Sequence, residues 1–187
     1  MRHLELFAGI GGFRRAMDLL TQDHIMNFHC VGYSEIDPKA VKTYCANYRP
    51  EQDEEVAMGD IVEFTKNPEN IENLPDFDLI TGGFPCQTFS MMGKQAGFNE
   101  DRGQMFFRII DILAARRPRY VLLENVKNLR NHDQGRTYNR INEELELLGY
   151  RVFSTVLKTA NYHLTQTRNR HLIISSTSPI QDNLEDF

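Results

Sequence analysis

Cysteines, long apolar runs and an excess of basic residues are all scarce or missing in this 187-residue sequence. Its three cysteines, Cys30, Cys45 and Cys86, form no C-x-x-C pair. This scarcity argues against a disulfide scaffold and a metal site, and it indicates a reducing compartment such as the cytoplasm. The apolar runs fall far short of the roughly 18–20 residues that a membrane span requires. Charged residues near the N-terminus also argue against a signal peptide.

The charge balance excludes one broad class of nucleic-acid-binding protein. The 21 Lys and Arg residues are outnumbered by 26 Asp and Glu residues, which gives a formal charge of −5. A module that grips phosphates over its whole surface would be strongly basic, so only a local basic groove remains compatible with this composition. The hydrophobic share of 41% is typical of a globular protein rather than a disordered chain.

Hydrophobic patterning alternates between short apolar segments and longer amphipathic ones. This alternation predicts an α/β sandwich on a largely parallel sheet, with one domain over residues 1–177 and a flexible polar tail over 178–187. Pro118 and Gly149 supply signals for helix ends. The predicted strands are His3–Phe7, Phe28–Tyr33, Glu55–Met58, Phe77–Thr81, Arg119–Glu124, Tyr150–Leu157 and His171–Ser176, and the predicted helices are Gly11–Leu20, Pro38–Tyr48, Gln104–Arg117 and Thr137–Leu148.

A glycine-rich turn joins the first predicted strand to the first helix. Its sequence, Phe-Ala-Gly-Ile-Gly-Gly over residues 7–12, allows a ligand to approach the backbone and the free N–H groups of the helix. Tight strand–helix turns need glycine anyway, and the spacing is not G-x-G-x-x-G. Glu35 follows the second strand at the distance where such folds hold ribose hydroxyls, and Asp60 could accept from an adenine amino group. Together these residues favour a cofactor that contains a nucleoside.

Cys86 lies in the most informative segment of the sequence. It follows a strand and two glycines, which puts its thiol at the carboxyl edge of the sheet, where doubly wound folds bind ligands. A cysteine there can act as a nucleophile if a helix start or a nearby cation favours its thiolate. The polar loop Ser90–Gly103 that follows is expected to act as a lid. Cys30 and Cys45 are expected to be inert buried residues.

Four short motifs follow one another along the chain. They are FAGIGG at residues 7–12, GFPCQ at 83–87, ENV at 124–126 and QTRNR at 166–170. In this order they resemble the cofactor, nucleophile, Glu-Asn-Val and Gln-x-Arg-x-Arg motifs of the cytosine carbon-5 DNA methyltransferases. The resemblance covers nearly the whole chain. It implies a Rossmann-like class I methyltransferase sandwich, with a mostly parallel seven-stranded sheet and one antiparallel strand.

The resemblance also implies a mechanism with four catalytic residues. The Cys86 thiolate would add to carbon 6 of cytosine, and Glu124 would hydrogen-bond the exocyclic amine and ring nitrogen 3. Arg170 would bind the cytosine carbonyl oxygen, and Arg168 would orient the nucleophile loop or a phosphate. The target base must leave the duplex, and the loop residues that would assist base flipping or touch phosphate are Gln87 and Ser90.

The cofactor that the resemblance implies is S-adenosylmethionine. Its expected contacts combine the glycine turn, the acids after the second and third strands, and apolar residues around them. They are Phe7, Gly9, Gly11, Glu35, Ile36, Asp60, Ile61, Pro85 and Met105.

Two parts that complete family members carry have no counterpart after the seventh predicted strand. One is the target-recognition domain, and the other is a terminal helix that returns beside the first strand. The resemblance therefore implies a catalytic chain of a bacterial or phage restriction–modification system that methylates double-stranded DNA with a second chain supplying both parts. It also predicts an uncovered apolar face beside the first strand. A truncated or degenerate copy and a piece of a longer protein stay open as alternatives. So do an RNA enzyme acting on tRNA cytosine and a non-catalytic protein that keeps the fold.

Overall fold

The computed structural model describes residues 1–50, 54–85, 105–162 and 168–178. Short 3-10 segments cover Lys127–Gly135 and Thr159–Tyr162. The strands are β1 (Arg2–Leu6), β2 (His29–Tyr33), β3 (Val56–Ala57), β4 (Leu79–Gly82), β5 (Tyr120–Val126), β6 (Arg151–Lys158) and β7 (Asn169–Ser176). The helices are α1 (Gly12–Gln22), α2 (Pro38–Tyr48), α3 (Ile61–Thr65), α4 (Pro68–Glu72), α5 (Met105–Arg116) and α6 (Arg136–Leu147).

The seven strands form one sheet in the order β3-β2-β1-β4-β5-β7-β6. Every neighbouring pair is parallel except the two that involve β7, which runs antiparallel to β5 and β6. This confirms the predicted α/β sandwich with one antiparallel strand. The strand order reverses between β1 and β4, and in open sheets of this kind the ligand-binding crevice lies at the carboxyl ends of the strands beside such a reversal.

Predicted and observed elements agree to within about two residues at almost every end, as helix and strand boundaries usually do. Two short helices, α3 and α4, were not predicted. Each begins after a side chain that accepts from the backbone: Asp60 Oδ1 from Val62 N at 2.8 Å, and Asn67 Oδ1 from Glu69 N at 3.1 Å. These are ordinary N-caps, but five-residue helices are too short to give a periodic apolar pattern.

The two faces of the sheet are covered to different extents. One face packs against α3, α4, α5 and α6 and holds the main hydrophobic core, in which β1, β4 and β5 contribute Leu4, Ile80 and Leu123. The other face carries α1 and α2 over β1 and β2, where Tyr33 and Tyr44 form a smaller cluster. The core therefore lies mainly on one side of the sheet.

Six apolar side chains on this second face remain partly accessible, and we call them the open sheet face. The cross-strand pairing of β5, β7 and β6 aligns them, because residues directly opposite in a sheet share a face. Phe153 is 40% exposed and the other five are half-buried. The prediction of an uncovered face beside β1 is therefore wrong in its position. Leu4 and Glu5 point to opposite faces of that strand, and both are fully buried. The open sheet face consists of Tyr120, Leu122, Phe153, Leu157, Leu172 and Ile174.

Among the residues that the structure describes, no helix is long and apolar enough to cross a membrane.

Candidate active site at the carboxyl edge of the sheet

The glycine turn after β1 adopts a backbone that ordinary residues avoid. Gly9 and Gly11 have φ angles of 57° and 90°, and Phe7 joins them in the left-handed region at 53°. A side chain at Gly11 would overlap the ring of Tyr48, whose hydroxyl donates to the Gly11 carbonyl at 2.7 Å. Strain of this kind persists only where the surroundings enforce it, and it is common at ligand sites. The turn is thus held in one shape by α2.

Glu35, which follows β2, fixes the glycine turn through hydrogen bonds of its carboxylate. Its Oε2 accepts from Gly9 N at 2.7 Å, while its Oε1 accepts from the backbone N–H groups of Ile36 and Asp37 at 2.8 Å each. Sequence reasoning gave Glu35 a role toward ribose only. The structure adds that the carboxylate joins the ends of β1 and β2, so it shapes the crevice as well as lining it.

The other predicted cofactor contacts near α3 occupy different environments. Asp60 is exposed and caps α3 through one oxygen, whereas the Ile61 side chain is 2% exposed and belongs to the core. Any contact of Ile61 with a cofactor would therefore involve its backbone. Ile36 is 62% exposed at the carboxyl edge, and Ile10, which sequence reasoning missed, is equally exposed within the glycine turn.

These residues suit a ligand that contains adenosine. Among the described residues, no atom lies within 4 Å of the position that a side chain at Gly9 would take, so these residues leave the backbone of the turn open to a ligand. Glu35 offers acceptors for hydroxyl groups, Asp60 offers one for an amino group, and Ile36 offers an apolar surface for a ring. The arrangement therefore fits the chemistry of S-adenosylmethionine.

The ends of β4 and β5 meet beside Glu124. Any side chain at Gly83 would come within 3.1 Å of Glu124 Oε2, so glycine leaves room for the carboxyl group. The next residue on β5, Asn125, is 3% exposed and donates from Nδ2 to the Phe84 carbonyl at 2.9 Å. Asn125 therefore anchors the backbone two residues before Cys86, a function that the sequence alone did not suggest.

Two arginines of the β7 segment surround the Glu124 carboxyl. Arg170 Nε forms an ion pair with Glu124 Oε1, and both side chains are about one quarter exposed. Burial raises the pKa of Glu124 above its ordinary value, and the positive charge of Arg168 opposes this shift. Burial thus favours the protonated form of Glu124, while the two arginines favour its ionised form.

A basic rim surrounds this site within the described part of an otherwise acidic chain. Lys127 follows β5, Lys158 ends β6, and Arg168 and Arg170 lie at the start of β7. The antiparallel pairing of β7 with both neighbours brings these four residues to the same edge of the sheet. They provide the local basic patch that the overall composition left open.

Some predicted site residues lie outside the described residues. They are Cys86, Gln87 and Ser90, together with the whole of the loop Ser90–Gly103 and the tail after Ser178. Two predicted cofactor contacts flank this segment: Pro85, which is exposed, and Met105, which is half-buried at the start of α5. The structure accordingly brings together Glu124, Arg168 and Arg170. Gly83, three residues before Cys86, lies beside Glu124.

Comparison with known sequences gives a family match over almost the full chain. The family model described as C-5 cytosine-specific DNA methylase matches residues 1–186. The orphan methyltransferase M.Rho11sI of Bacillus phage rho11s is 39% identical over 99% of this chain and 35% of its own length. The type II methyltransferase M1.ScrFI of Lactococcus lactis subsp. cremoris is 40% identical over 98% of this chain and 43% of its own length.

Solved structures share the fold. The Dnmt2 methyltransferase of S. pombe matches with a TM-score of 0.79 at 24% identity, over 100% of this chain and 54% of that one. The Entamoeba histolytica methyltransferase EhMeth matches with a TM-score of 0.74 at 19% identity, over 97% of this chain and 54% of that one. The chain spans about a third to a half of the length of the curated relatives it matches. From the family match over residues 1–186, the chain belongs to the C-5 cytosine-specific DNA methylase family.

Proposed function

We propose that this protein transfers a methyl group from S-adenosylmethionine to carbon 5 of a cytosine in DNA. The observation that carries the proposal is the ion pair of Glu124 and Arg170 beside Gly83, three residues before Cys86. The family match supports cytosine carbon 5 as the target atom. The description of that family as a DNA methylase also supports DNA as the substrate.

The proposed chemistry begins with activation of the cytosine ring. Carbon 5 is a poor nucleophile, so the Cys86 thiolate adds to carbon 6 and pushes electron density toward carbon 5. Glu124 donates its proton to ring nitrogen 3 as charge develops there, and Arg170 binds the carbonyl oxygen of the base. After carbon 5 has gained its methyl group, a base removes the proton from that carbon. The electrons of that bond re-form the double bond and expel the Cys86 thiolate, and the proton on ring nitrogen 3 returns to the Glu124 carboxylate.

The cofactor would lie along the glycine turn, with Glu35 toward its ribose and Asp60 toward its adenine. When bound, S-adenosylmethionine supplies a methyl group on a positively charged sulfur. The exposed side chain of Ile36 would pack against the adenine ring, and the left-handed backbone at Gly9 would let the ligand lie close to the turn.

Glu35→Ala and Asp60→Asn are expected to weaken S-adenosylmethionine binding by roughly 5–150-fold each, since each removes a hydrogen bond to the bound cofactor worth about 1–3 kcal/mol. Asparagine keeps the oxygen that caps α3 but presents an N–H group to the adenine amine. Isothermal titration calorimetry measures the effect. Asp37→Asn is the matched control, because Asp37 caps α2 through Lys39 N in the same way. Unchanged affinity in both test variants would move the cofactor site elsewhere.

The DNA substrate would reach the site from the carboxyl edge. The reacting atom of cytosine is inaccessible inside a duplex, so the base must be flipped into the site. Lys127, Lys158 and Arg168 are exposed at the basic rim and can bind backbone phosphates, which gives salt-sensitive affinity that is independent of sequence.

We further propose that a second chain supplies target recognition and covers the open sheet face. The relatives are about two to three times as long as the region matched here. Leu122 and Leu172 lie on the same face of the sheet as Glu124, and Leu172 is directly opposite Glu124 on the neighbouring strand. A protein segment that packs on these leucines would therefore also lie close to the site. Contiguous apolar surface of this kind is typical of an interaction site.

The 187-residue chain alone is expected to transfer little or no methyl group, and a chain carrying the recognition parts should restore site-specific transfer. The measurement is incorporation of tritiated methyl groups into duplex DNA by the chain alone and with the protein encoded beside it. Phe153→Asp on the open sheet face should reduce the restored activity, because it places a charge in the contact.

Leu147→Asp is the matched control for this experiment. Leu147 is 79% exposed on α6 and lies away from the open sheet face, so its replacement should leave the restored activity unchanged. Robust sequence-specific methylation by the purified chain alone would contradict the proposal of a second chain.

A further inference from the structure

Behind the glycine turn, a buried carboxyl group holds the first turn of α1. Glu5 is 0% exposed and lies on β1, two residues before Phe7. Its Oε1 accepts from Arg14 N at 3.2 Å, and its Oε2 accepts from the Tyr44 hydroxyl at 3.4 Å. The mechanism proposed above makes no use of this residue, yet burial of a carboxyl group is costly unless its oxygens are paired.

The helix that Glu5 contacts has no cap of its own. The residue before α1 is Gly11, which offers no side-chain acceptor, and the first turn of the helix contains no acidic residue. The N-terminus of a helix carries unpaired N–H groups and a partial positive charge. Glu5 supplies from the neighbouring strand the negative acceptor that the local sequence of α1 does not contain.

The positive charge of Arg14 lowers the pKa of Glu5, but the guanidinium group makes its ion pairs with other carboxylates. It forms a two-pronged ion pair with Glu55, at 2.9 and 3.1 Å, and a further contact with Asp18 at 3.3 Å. Glu5 therefore accepts hydrogen bonds from the backbone amide of Arg14 and from the Tyr44 hydroxyl.

The remaining groups around Glu5 are neutral at physiological pH. Burial raises the pKa of Cys30 to about 11 and that of Tyr44 beyond the physiological range. Burial also raises the pKa of Tyr48. On the same strand, burial lowers the pKa of His3 to about 3 and leaves the ring neutral. Charge changes near neutral pH in this cluster therefore fall on Glu5 itself.

We infer that Glu5 is a positioning residue for the cofactor: its carboxylate clamps the first turn of α1 and so holds the glycine turn in the shape that binds S-adenosylmethionine. The inference rests on the proposed function. Burial raises the pKa of Glu5 to about 7, against hydrogen bonds from the Arg14 amide and the Tyr44 hydroxyl that lower it. The ionised form accepts stronger hydrogen bonds than the neutral acid, so the clamp tightens as pH rises through this value.

Folding stability and cofactor affinity are expected to change in opposite directions as pH rises. Because the folded protein holds the Glu5 proton more tightly than the unfolded chain does, this group stabilises the fold at low pH and loses that contribution as pH rises through about 7. Cofactor binding requires the fixed turn and brings a positive sulfur, so it favours the ionised form. Affinity for the cofactor should therefore increase as pH rises, while the contribution of Glu5 to folding stability decreases.

Calorimetric titration of the purified protein with S-adenosylmethionine at about pH 6 and about pH 8 tests the inference. The wild-type protein should bind about five- to tenfold more tightly at the higher pH. Glu5→Gln should bind more weakly and with little pH dependence, and Glu5→Asp, which keeps the charge, should recover part of it. Asp18→Asn is the control, because Asp18 contacts Arg14 but not the first-turn amides, and it should keep the wild-type pH dependence.

If Glu5→Gln fails to fold, an NMR measurement on the wild-type protein tests the inference instead. The amide resonance of Arg14 in the wild-type protein without cofactor should move with pH and have its midpoint near the pKa of about 7. An amide signal that stays constant across this range would overturn the clamp. If the wild-type protein binds S-adenosylmethionine and Glu5→Gln binds it equally with the same pH dependence, the inference alone is wrong. If the wild-type protein binds none at either pH, the proposed cofactor is wrong as well.

Discussion

Cys86→Ser is expected to abolish covalent trapping of the protein on DNA that contains 5-fluorocytosine. In the proposed reaction the thiolate adds to carbon 6, and release requires loss of the proton from carbon 5. Fluorine at carbon 5 cannot leave as a proton, so the adduct should accumulate and survive denaturation. Serine lacks a thiolate and should form none. The measurement is a shift in electrophoretic mobility after incubation with DNA, S-adenosylmethionine and the proposed second chain.

Cys45→Ser is the matched control for the trapping experiment. Cys45 is a half-buried thiol on α2 whose Sγ lies 3.5 Å from the Tyr33 hydroxyl, away from the β4–β5 edge. This variant should form the adduct as the wild-type protein does. An adduct that persists in Cys86→Ser would assign the nucleophile to another residue.

Glu124→Gln is expected to slow methyl transfer by about 10²–10⁴-fold, the usual contribution of a general acid. Glutamine can still hydrogen-bond the base, but it cannot deliver a carboxyl proton to ring nitrogen 3. Because burial raises the pKa of Glu124, the wild-type rate should decrease as pH rises through that pKa and the proton is lost. The variant should lack this decrease. Single-turnover methyl transfer across a pH series measures both effects.

The control for this series is Glu143→Gln, which removes an exposed carboxyl group from α6. Its rate and pH profile should match those of the wild-type protein. A Glu124→Gln variant with an unchanged rate would show that proton donation by this residue does not limit the reaction.

Much of this fold could be predicted because its signals are local in the sequence. Short apolar runs gave all seven strands, and Pro38, Pro118 and Gly149 placed helix ends close to where the structure has them. The acid at the end of β2 and the Glu-Asn-Val segment were likewise readable, since parallel strands bring residues at their carboxyl ends to one edge. That part of the site follows from strand order and motif spacing.

The remaining features depend on contacts between distant segments. Glu5 reads as an ordinary charge within an apolar strand, and only the packing of α1 and α2 gives it partners. Glu35 was identified as a ligand, but its grip on Gly9 requires the turn and β2 to be side by side. The prediction put an uncovered apolar face beside β1, whereas the open sheet face lies on β5, β6 and β7. The sequence does not reveal which strands of the second face are covered by α1 and α2.

The exchange of strand order at the centre of the sheet also has a kinetic consequence. His3 and Thr81, hydrogen-bonded across β1 and β4, are 78 residues apart in sequence. Pairings between such distant segments are entropically costly to form and slow the folding of domains that depend on them. Both walls of the crevice therefore come together only when β4 docks against β1. A nascent chain that has not yet completed β4 cannot present a binding-competent crevice, so the ligand can stabilise only molecules whose central strands have already joined.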